Sequence, residues 1–328
     1  MPVKSFELEF TVVVTVVDGK ECTRTHLTTL CPQMDFKCAE VLVPYDKWSE
    51  DVGSLADEFP EVVFHFSEHL GLENNERISK SDHVLYDRRR SIGLHLSRGK
   101  IVALTEDRAI PEKDWAAQML KAHLQPYEVI GGAVENGVER SINRALYFCD
   151  FGRYGRPFHN HEVSYVSDVN LAYKREALDL TKDLWAEYYH ETTVNWTLQS
   201  HGKKLYLDCG PVVYQCRRQI SLWNALKERV VWGRVFARTR VERLTYIHRL
   251  LFAGAVPLLP LILLFRALQH MIRQGEEFKK IVVTMPLISL FVFCWSVGEL
   301  AGYLTAGANL KRPLWGSSGT NREIRNNA

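Results

Sequence analysis

The run Ile101-Val102-Ala103-Leu104-Thr105-Glu106-Asp107-Arg108, with Pro111 and Trp115 beyond it, is an apolar segment that stops abruptly on two acids and a base. It follows Arg98-Gly99-Lys100 and is short and partly β-branched, so it reads as a central strand of an α/β sheet rather than a helix. Carboxylates at the carboxyl end of such a strand face the crevice in which α/β sheets bind ligands, and they can hold a metal there. Taken alone, the same residues also fit a solvated turn, with Asp107 close to the N-terminus of a helix begun by Pro111, Glu112 and Lys113.

The flanking sequence favours the strand. Residues 9–17, 40–43, 62–66, 129–134 and 204–213 have strand-like patterns, and residues 23–31, 48–59, 88–97, 142–151 and 178–198 have helix-like ones. This alternation predicts an open, mostly parallel sheet with right-handed crossovers. The strand at 129–134 contains the pair Gly131-Gly132, where backbone can approach a ligand closely. No internal repeat or low-complexity segment is evident, and the polar tail from Trp315 to Ala328 is expected to be disordered.

At 328 residues and 46% hydrophobic content, the chain can bury a sizeable core and a smaller second module. A formal net charge of +2 gives no global sign of nucleic-acid binding. The charge is uneven, however: a belt between Arg217 and Arg249 carries nine Arg or Lys against Glu228 and Glu242. Seven cysteines without a C-x-x-C pair point to a reducing compartment. Residues 6–17 are interrupted by Glu7 and Glu9 and read as a strand rather than a signal peptide, so the amino-terminal domain is expected to stay in the cytosol. Residues 250–265 and 281–297 are uncharged, largely apolar runs that read as a membrane hairpin, or else as a buried core hairpin of a soluble unit; the first carries Pro257 and Pro260 and either extends past Arg266 to cross or is kinked or re-entrant, and the second reaches spanning length at Tyr303 at the cost of including Glu299. Flanking Arg and Lys place both ends in the cytosol by the positive-inside rule. Before the hairpin, Leu222, Trp223, Leu226 and Val230 share one helical face in a basic segment, as in a helix lying among lipid headgroups or one that only sets orientation.

Four stretches together resemble the family 2 glycosyltransferases. The strand Thr11 to Val17 with Asp18 is similar to the family's first strand, which implies that Thr15 and Val17 lie beside the nucleotide. Glu40 to Asp46 is similar to the strand whose terminal acid, here Asp46, approaches base and ribose. Arg88 to Leu104 resembles the helix and strand before the D-x-D-like metal site, with Arg98 a further nucleotide contact and Thr105-Glu106-Asp107 in the place of that site. The resemblance implies Asp107 as ligand of Mg²⁺ or Mn²⁺, with Glu106 orienting ligands or nucleotide, although Thr105 departs from a strict D-x-D. His190-Glu191, followed by Gly202 and Lys204 to Leu207, looks like the family's acidic residue on a helix one loop before a strand, which makes Glu191 the general base and Glu187 the fallback. Asn170 to Arg175 resembles the segment near donor sugar and acceptor, and equally reads as a strand-to-helix turn capped by Asn170. His159 and His161 could line a loop near the acceptor or lie at the surface. Arg108, Arg217 and Arg218 could contact the diphosphate.

The resemblance implies a GT-A α/β domain (1–215), basic interfacial helices (216–245), a transmembrane helical hairpin (246–310) and a polar cytosolic tail (311–328). The implied activity is inverting, metal-dependent transfer from a nucleotide-diphosphate sugar to a lipid, lipid-linked or polysaccharide acceptor at the cytosolic membrane face, with homo-oligomerisation left open. The Q-x-x-R-W motif of processive members is absent. That absence, with Thr105, also allows a non-enzymatic, membrane-tethered protein that binds nucleotide-sugar or partner proteins.

Overall fold

The computed structural model describes residues 8–68, 83–217, 220–242 and 244–305. Arg218 and the tail therefore lie outside the described residues. The chain divides into two compact units, Met1–Arg218 and Gln219–Ala328.

The first unit is built on a nine-stranded mixed sheet. Strands β1 (Leu8–Thr15), β2 (Ala39–Tyr45), β3 (Val63–Phe66) and β4 (Gly99–Glu106) form its parallel half in the order β3-β2-β1-β4. Beyond β4 come β8 (Asn170–Lys174), β6 (Val129–Asn136), β9 (Leu205–Gln215) and β5 (Ala109–Pro111), while β7 (His161–Val163) pairs with β9. The expectation of a mostly parallel sheet holds for the first half; in the second, β6 and β9 are parallel, but β8 runs antiparallel to both β4 and β6. Pairing direction is fixed by contacts distant in sequence, which the alternation of helix and strand patterns does not report.

Helices cover both faces because alternate strand side chains point to opposite sides. Val12, Val14 and Val16 pack with Leu27 and Leu30 of α1 (Lys20–Leu30) and with Trp115 of α3 (Trp115–Ala122). Val13, Val102 and Leu104 pack instead with Leu94 of α2 (His83–Leu96) and with residues of α5 (Arg175–Leu180) and α7 (Glu191–Ser200). Val13 touches α2 where it has no side chain, since a Cβ on Gly93 would sit 2.2 Å from the valine methyl. Helix α4 (Ser141–Asp150) follows β6, and α6 (Lys182–Trp185) lies between α5 and α7.

Two helix expectations change. Residues 178–198 form three short helices rather than one, because Tyr189 is fully buried and its hydroxyl meets that of Tyr173 at 2.7 Å, which pulls the chain off a helical path. Within 48–59 the helix is 3₁₀ (Glu50–Asp57), and its Gly53 lies so close to Tyr45 that a Cβ would be 2.4 Å from the ring hydroxyl.

The second unit contains α8 (Leu222–Val241), α9 (Tyr246–Ala255), α10 (Leu259–Arg273) and α11 (Phe278–Thr305). A short 3₁₀ turn at Val256–Leu258 holds Pro257 and separates α9 from α10, the break expected there. Two stretches, Tyr246–Arg273 and Phe278–Thr305, are long and apolar enough to cross a membrane. On α8 the apolar residues Leu222 and Trp223 are exposed, Trp223 to 65%, and Ala225, Arg229, Gly233 and Ala237 are buried. Small residues decide this, because Gly233 on α8 and Gly298 and Gly302 on α11 let the two backbones touch, and a Cβ on Gly298 would lie 2.0 Å from the Val230 carbonyl oxygen. Glu299 on α11 accepts from Arg240 (3.2 Å), Tyr303 (2.9 Å) and Trp295 (2.8 Å), so the acid inside the apolar run is fully engaged.

Candidate active site

The carboxyl ends of β1, β2 and β4 meet at one edge of the sheet, since all three strands are parallel. Thr15 pairs with Glu106, and Asp107 N–H donates to the Thr15 carbonyl at 3.0 Å. The Asp107 carboxylate turns back under the β1 to α1 turn. Its Oδ2 accepts N–H bonds from Val17, Asp18 and Gly19, each at 3.0 Å, and Oδ1 accepts from Asp18 at 3.2 Å. Gly19, in the left-handed region at φ 98°, is the N-cap of α1 and offers no side-chain cap of its own. Asp107 supplies that cap from the neighbouring strand and places an anion at a helix N-terminus. Burial pushes its carboxyl up to about 7, helped by Asp18 and opposed by the Val17 and Gly19 N–H groups.

Asp46, at the end of β2, is held bidentately by Arg89 of α2 at 2.8 and 2.9 Å and accepts the Trp48 N–H at 2.8 Å. Arg89 also donates to the Val16 carbonyl, so a single buried arginine joins two strand ends. Its neighbour Arg90 binds Asp87 (3.2 Å), Glu106 (2.9 Å) and Asp168 (2.9 Å). Glu106 shares its other oxygen with Arg108 at 2.9 Å, and Arg108 lies 3.7 Å from the partly exposed Asp18. Burial works against the Arg90 charge, but Asp168, Glu106 and Asp87 together raise its pKa above the ordinary value. Burial raises the carboxyls of Asp87 and Asp168, with Arg90 pulling both the other way.

Glu191 opens α7, and its Oε2 accepts the backbone N–H of Asp168. It is thereby tied to the strand ends through Asp168 and Arg90. Burial pushes its carboxyl up to about 7, against the pull of the Asp168 N–H and Arg90. Glu187 lies in the exposed connection before α7. His190, the N-cap, contacts the Thr193 hydroxyl at 3.0 Å, and burial lowers its pKa to about 4.

Thr15, Val17, Asp46, Glu106, Asp107 and Glu191 are thus tied, directly or through Arg89, Arg90 and Asp168, to the carboxyl ends of β1, β2 and β4. Arg217 follows Cys216, whose N–H donates to the Arg108 carbonyl at 2.7 Å, which brings it to the same edge. Arg98 is not brought there: it precedes β4, at the strand's opposite end, and pairs with Glu40 at 2.8 Å. Its assignment as a nucleotide contact is corrected on that ground, because the strand separates it from Glu106. Asn170 is 1% exposed and bridges the core, donating to the Ala133 and Pro211 carbonyls (2.8 and 3.0 Å) and accepting from Trp115 (2.9 Å). Sequence reasoning passed over Arg89, Arg90, Asp87 and Asp168. The signal was the triplet Arg88-Arg89-Arg90 on a helix, where three successive positions cannot all face water.

Among the described residues, no group of three His, Cys, Asp or Glu side chains is arranged to hold a metal ion. The Asp107 carboxylate is fully buried and both its oxygens accept backbone N–H groups, whereas the neighbouring Asp18 carboxylate is partly exposed. Such a hard-oxygen pair suits Mg²⁺ or Mn²⁺ only when ligand oxygens complete the coordination.

No protein-family model matches the chain, and no curated protein matches it. Among solved structures, it is similar to a mannosyltransferase from Pyrobaculum calidifontis determined in complex with GDP-Man and Mn²⁺, at 14% identity and a TM-score of 0.46, covering 95% of this chain and 79% of that one. It is also similar to a mycobacterial protein at 16% identity and a TM-score of 0.47, covering 71% and 78% respectively. Both likenesses are distant.

Proposed function

We propose that the chain is a membrane-anchored, GT-A-type glycosyltransferase of family 2 character that moves a sugar from a nucleotide-diphosphate donor to an acceptor at the cytosolic membrane face, with inversion. The observation that carries this reading is the joining, through Arg90 and Asp168, of an acidic edge formed by parallel strand ends to a separate carboxylate, Glu191, whose pKa is raised to about 7. A group with a pKa near neutrality is suited to take the proton of an attacking hydroxyl.

In this reading the β1 end, with Thr15, Val17 and Asp18, flanks the nucleotide, and Arg89 holds Asp46 at the border of the base and ribose site. Asp18 and Oδ1 of Asp107 would hold Mg²⁺ or Mn²⁺, which offsets charge building on the leaving diphosphate. Arg108, Arg217 and Arg218 add cationic contacts. Glu191 takes the acceptor proton from the opposite side of the donor sugar, and a single in-line displacement inverts the anomeric centre. The apolar stretches Tyr246–Arg273 and Phe278–Thr305 anchor the chain, and exposed Leu251, Leu261, Phe265, Phe278 and Phe293 on them would face lipid. A lipid or lipid-linked acceptor follows from that anchoring.

Purified full-length protein in nanodiscs, offered UDP- and GDP-sugars with and without Mn²⁺, should hydrolyse or transfer from one of them, and Glu191→Gln should slow this by about 10²–10⁴. A second reading, nucleotide-sugar binding without turnover, is favoured by one observation: Thr105 stands where a strict D-x-D has its first aspartate. Donor binding with no turnover for any acceptor mixture tested would select it. Resistance of the full chain to carbonate extraction tests the anchor.

A further inference from the structure

An open cleft of about 320 Å³ is lined by Arg153, Tyr154, His161, Ser164, Tyr165 and Leu207 among others. We propose that this cleft receives the acceptor, and that the acceptor is a phosphorylated sugar or polyol whose phosphate binds Arg153 while a ring hydroxyl reaches Glu191. The proposal rests on the transferase reading above.

The guanidinium of Arg153 lies over the rings of both Tyr154 and Tyr165, at 5.5 and 5.7 Å from their centroids. A stacked guanidinium loses little freedom on binding, and its planar fork matches phosphate oxygens bidentately. The lining carboxylate, Glu162, is bound to Lys204 at 2.7 Å, which offsets its repulsion of an anion. The Nδ1–H of His161 is directed to the His159 carbonyl at 2.7 Å, which leaves Nε2 for a ligand hydroxyl, and Ser164 adds a second hydrogen-bonding group. Polar groups of this kind suit a hydroxylated ring better than a flat hydrophobe. The volume lies at the small end of ligand sites, which suits one headgroup-sized ring rather than a long glycan.

The cleft is mechanically tied to the base. The Tyr165 hydroxyl meets that of Thr192, the residue after Glu191, at 3.4 Å, and three residues beyond Tyr165 the Asp168 N–H holds the Glu191 carboxylate. Val166 between them is seated against Gly131, where an added Cβ would lie 2.5 Å from its methyl, so the segment has a fixed register. Arg153 also acts electrostatically on Glu191, lowering its pKa, so the two ends of the site are close enough to sense each other.

The test uses the full chain in phosphatidylcholine nanodiscs and reads affinity by thermal shift and calorimetry. The probes are glucose 1-phosphate and glucose in solution, and phosphatidylinositol added to the nanodisc, so that soluble and lipid-borne phosphates are distinguished. At least one phosphorylated probe should bind and glucose should bind at least about tenfold more weakly. Arg153→Gln should weaken the phosphorylated probe about tenfold or more, with Arg153→Lys intermediate. Failure of both phosphorylated probes, equal binding of glucose, or full binding by Arg153→Gln overturns the proposal. UDP and GDP with Mn²⁺ are titrated in parallel. Nucleotide binding without phosphorylated-probe binding refutes the cleft assignment and leaves the transferase reading standing. Arg153-dependent probe binding without nucleotide binding keeps Arg153 as a phosphate site but refutes both the transferase reading and the acceptor role built on it.

Discussion

Asp107→Ala should destabilise the α/β domain in the absence of any nucleotide or metal. The carboxylate is the common acceptor for the N–H groups of Val17, Asp18 and Gly19, and the alanine leaves all three without it. Asp18 is exposed and its N–H can turn to water, whereas Val17 and Gly19 are buried. At about 1–3 kcal/mol for each buried N–H left unpaired, the two contribute about 2–6 kcal/mol. For a domain of this size each kcal/mol lowers the melting temperature by about 2–4 °C, so a fall of about 5–20 °C is expected. Asp107→Asn keeps one acceptor oxygen and should fall between alanine and wild type. Differential scanning fluorimetry of the full chain in nanodiscs measures the fall, and amide exchange at 17–19 locates it. A melting temperature within about 2 °C of wild type for the alanine variant, with unchanged exchange at those amides, would refute the capping role. The sequence alone suggests that Asp107→Asn weakens metal-dependent donor binding with the fold intact; the N–H cradle adds a thermal cost to that expectation.

Three further outcomes follow from named contacts. Glu191→Gln should lower turnover by about 10²–10⁴ with donor affinity unchanged, and wild-type turnover should rise about tenfold from pH 6 to pH 8, because a base with a pKa of about 7 works only when deprotonated; a flat profile measured with saturating donor counts against Glu191. Gly298→Val should prevent α8 from seating on α11 and sharply reduce the yield of monodisperse protein, because the clash at 2.0 Å is with backbone, whereas Gly254→Ala in α9 meets nothing within 4 Å and should be neutral or stabilising on size-exclusion and melting profiles. Arg240→Leu strips the ion pair from buried Glu299 and should cost about 3–5 kcal/mol, while the double variant with Glu299→Leu should recover most of the loss; equal melting of the single and double variants would rule out the pair as the cause.

Much of the parallel half of the sheet was legible because β1, β2 and β4 are continuous buried runs, so each apolar residue in sequence is a core residue in space. The break at Pro257 was legible for a local reason too, since proline cannot supply the helical N–H. What the sequence hid depends on distant partners. Nothing near Asn170 announces that its amide crosslinks Ala133, Pro211 and Trp115, and nothing near Asp107 announces that its oxygens are taken by a turn some ninety residues earlier. The buried stripe of α8 is likewise set by a distant partner: the small residues at 225, 233 and 237 allow the close approach that decides which face is covered.

Arg90 explains why an acidic edge this dense can exist in the core. Asp87, Glu106 and Asp168 converge on it, and left alone these buried carboxylates would repel and protonate. A buried ion network is poor evidence for stability, since well-packed apolar side chains of the same volume usually serve as well. What apolar side chains cannot do is fix the β4 end, α2 and the segment bearing Asp168 in one register by directional bonds. That register sets where the Asp168 N–H lies, and the N–H in turn sets where the Glu191 carboxylate lies. The residues that Arg90 binds are therefore better understood as holding the crevice and Glu191 at a fixed separation than as strengthening the fold, and the raised pKa of Glu191 is a consequence of being held there, partly buried and near Glu106.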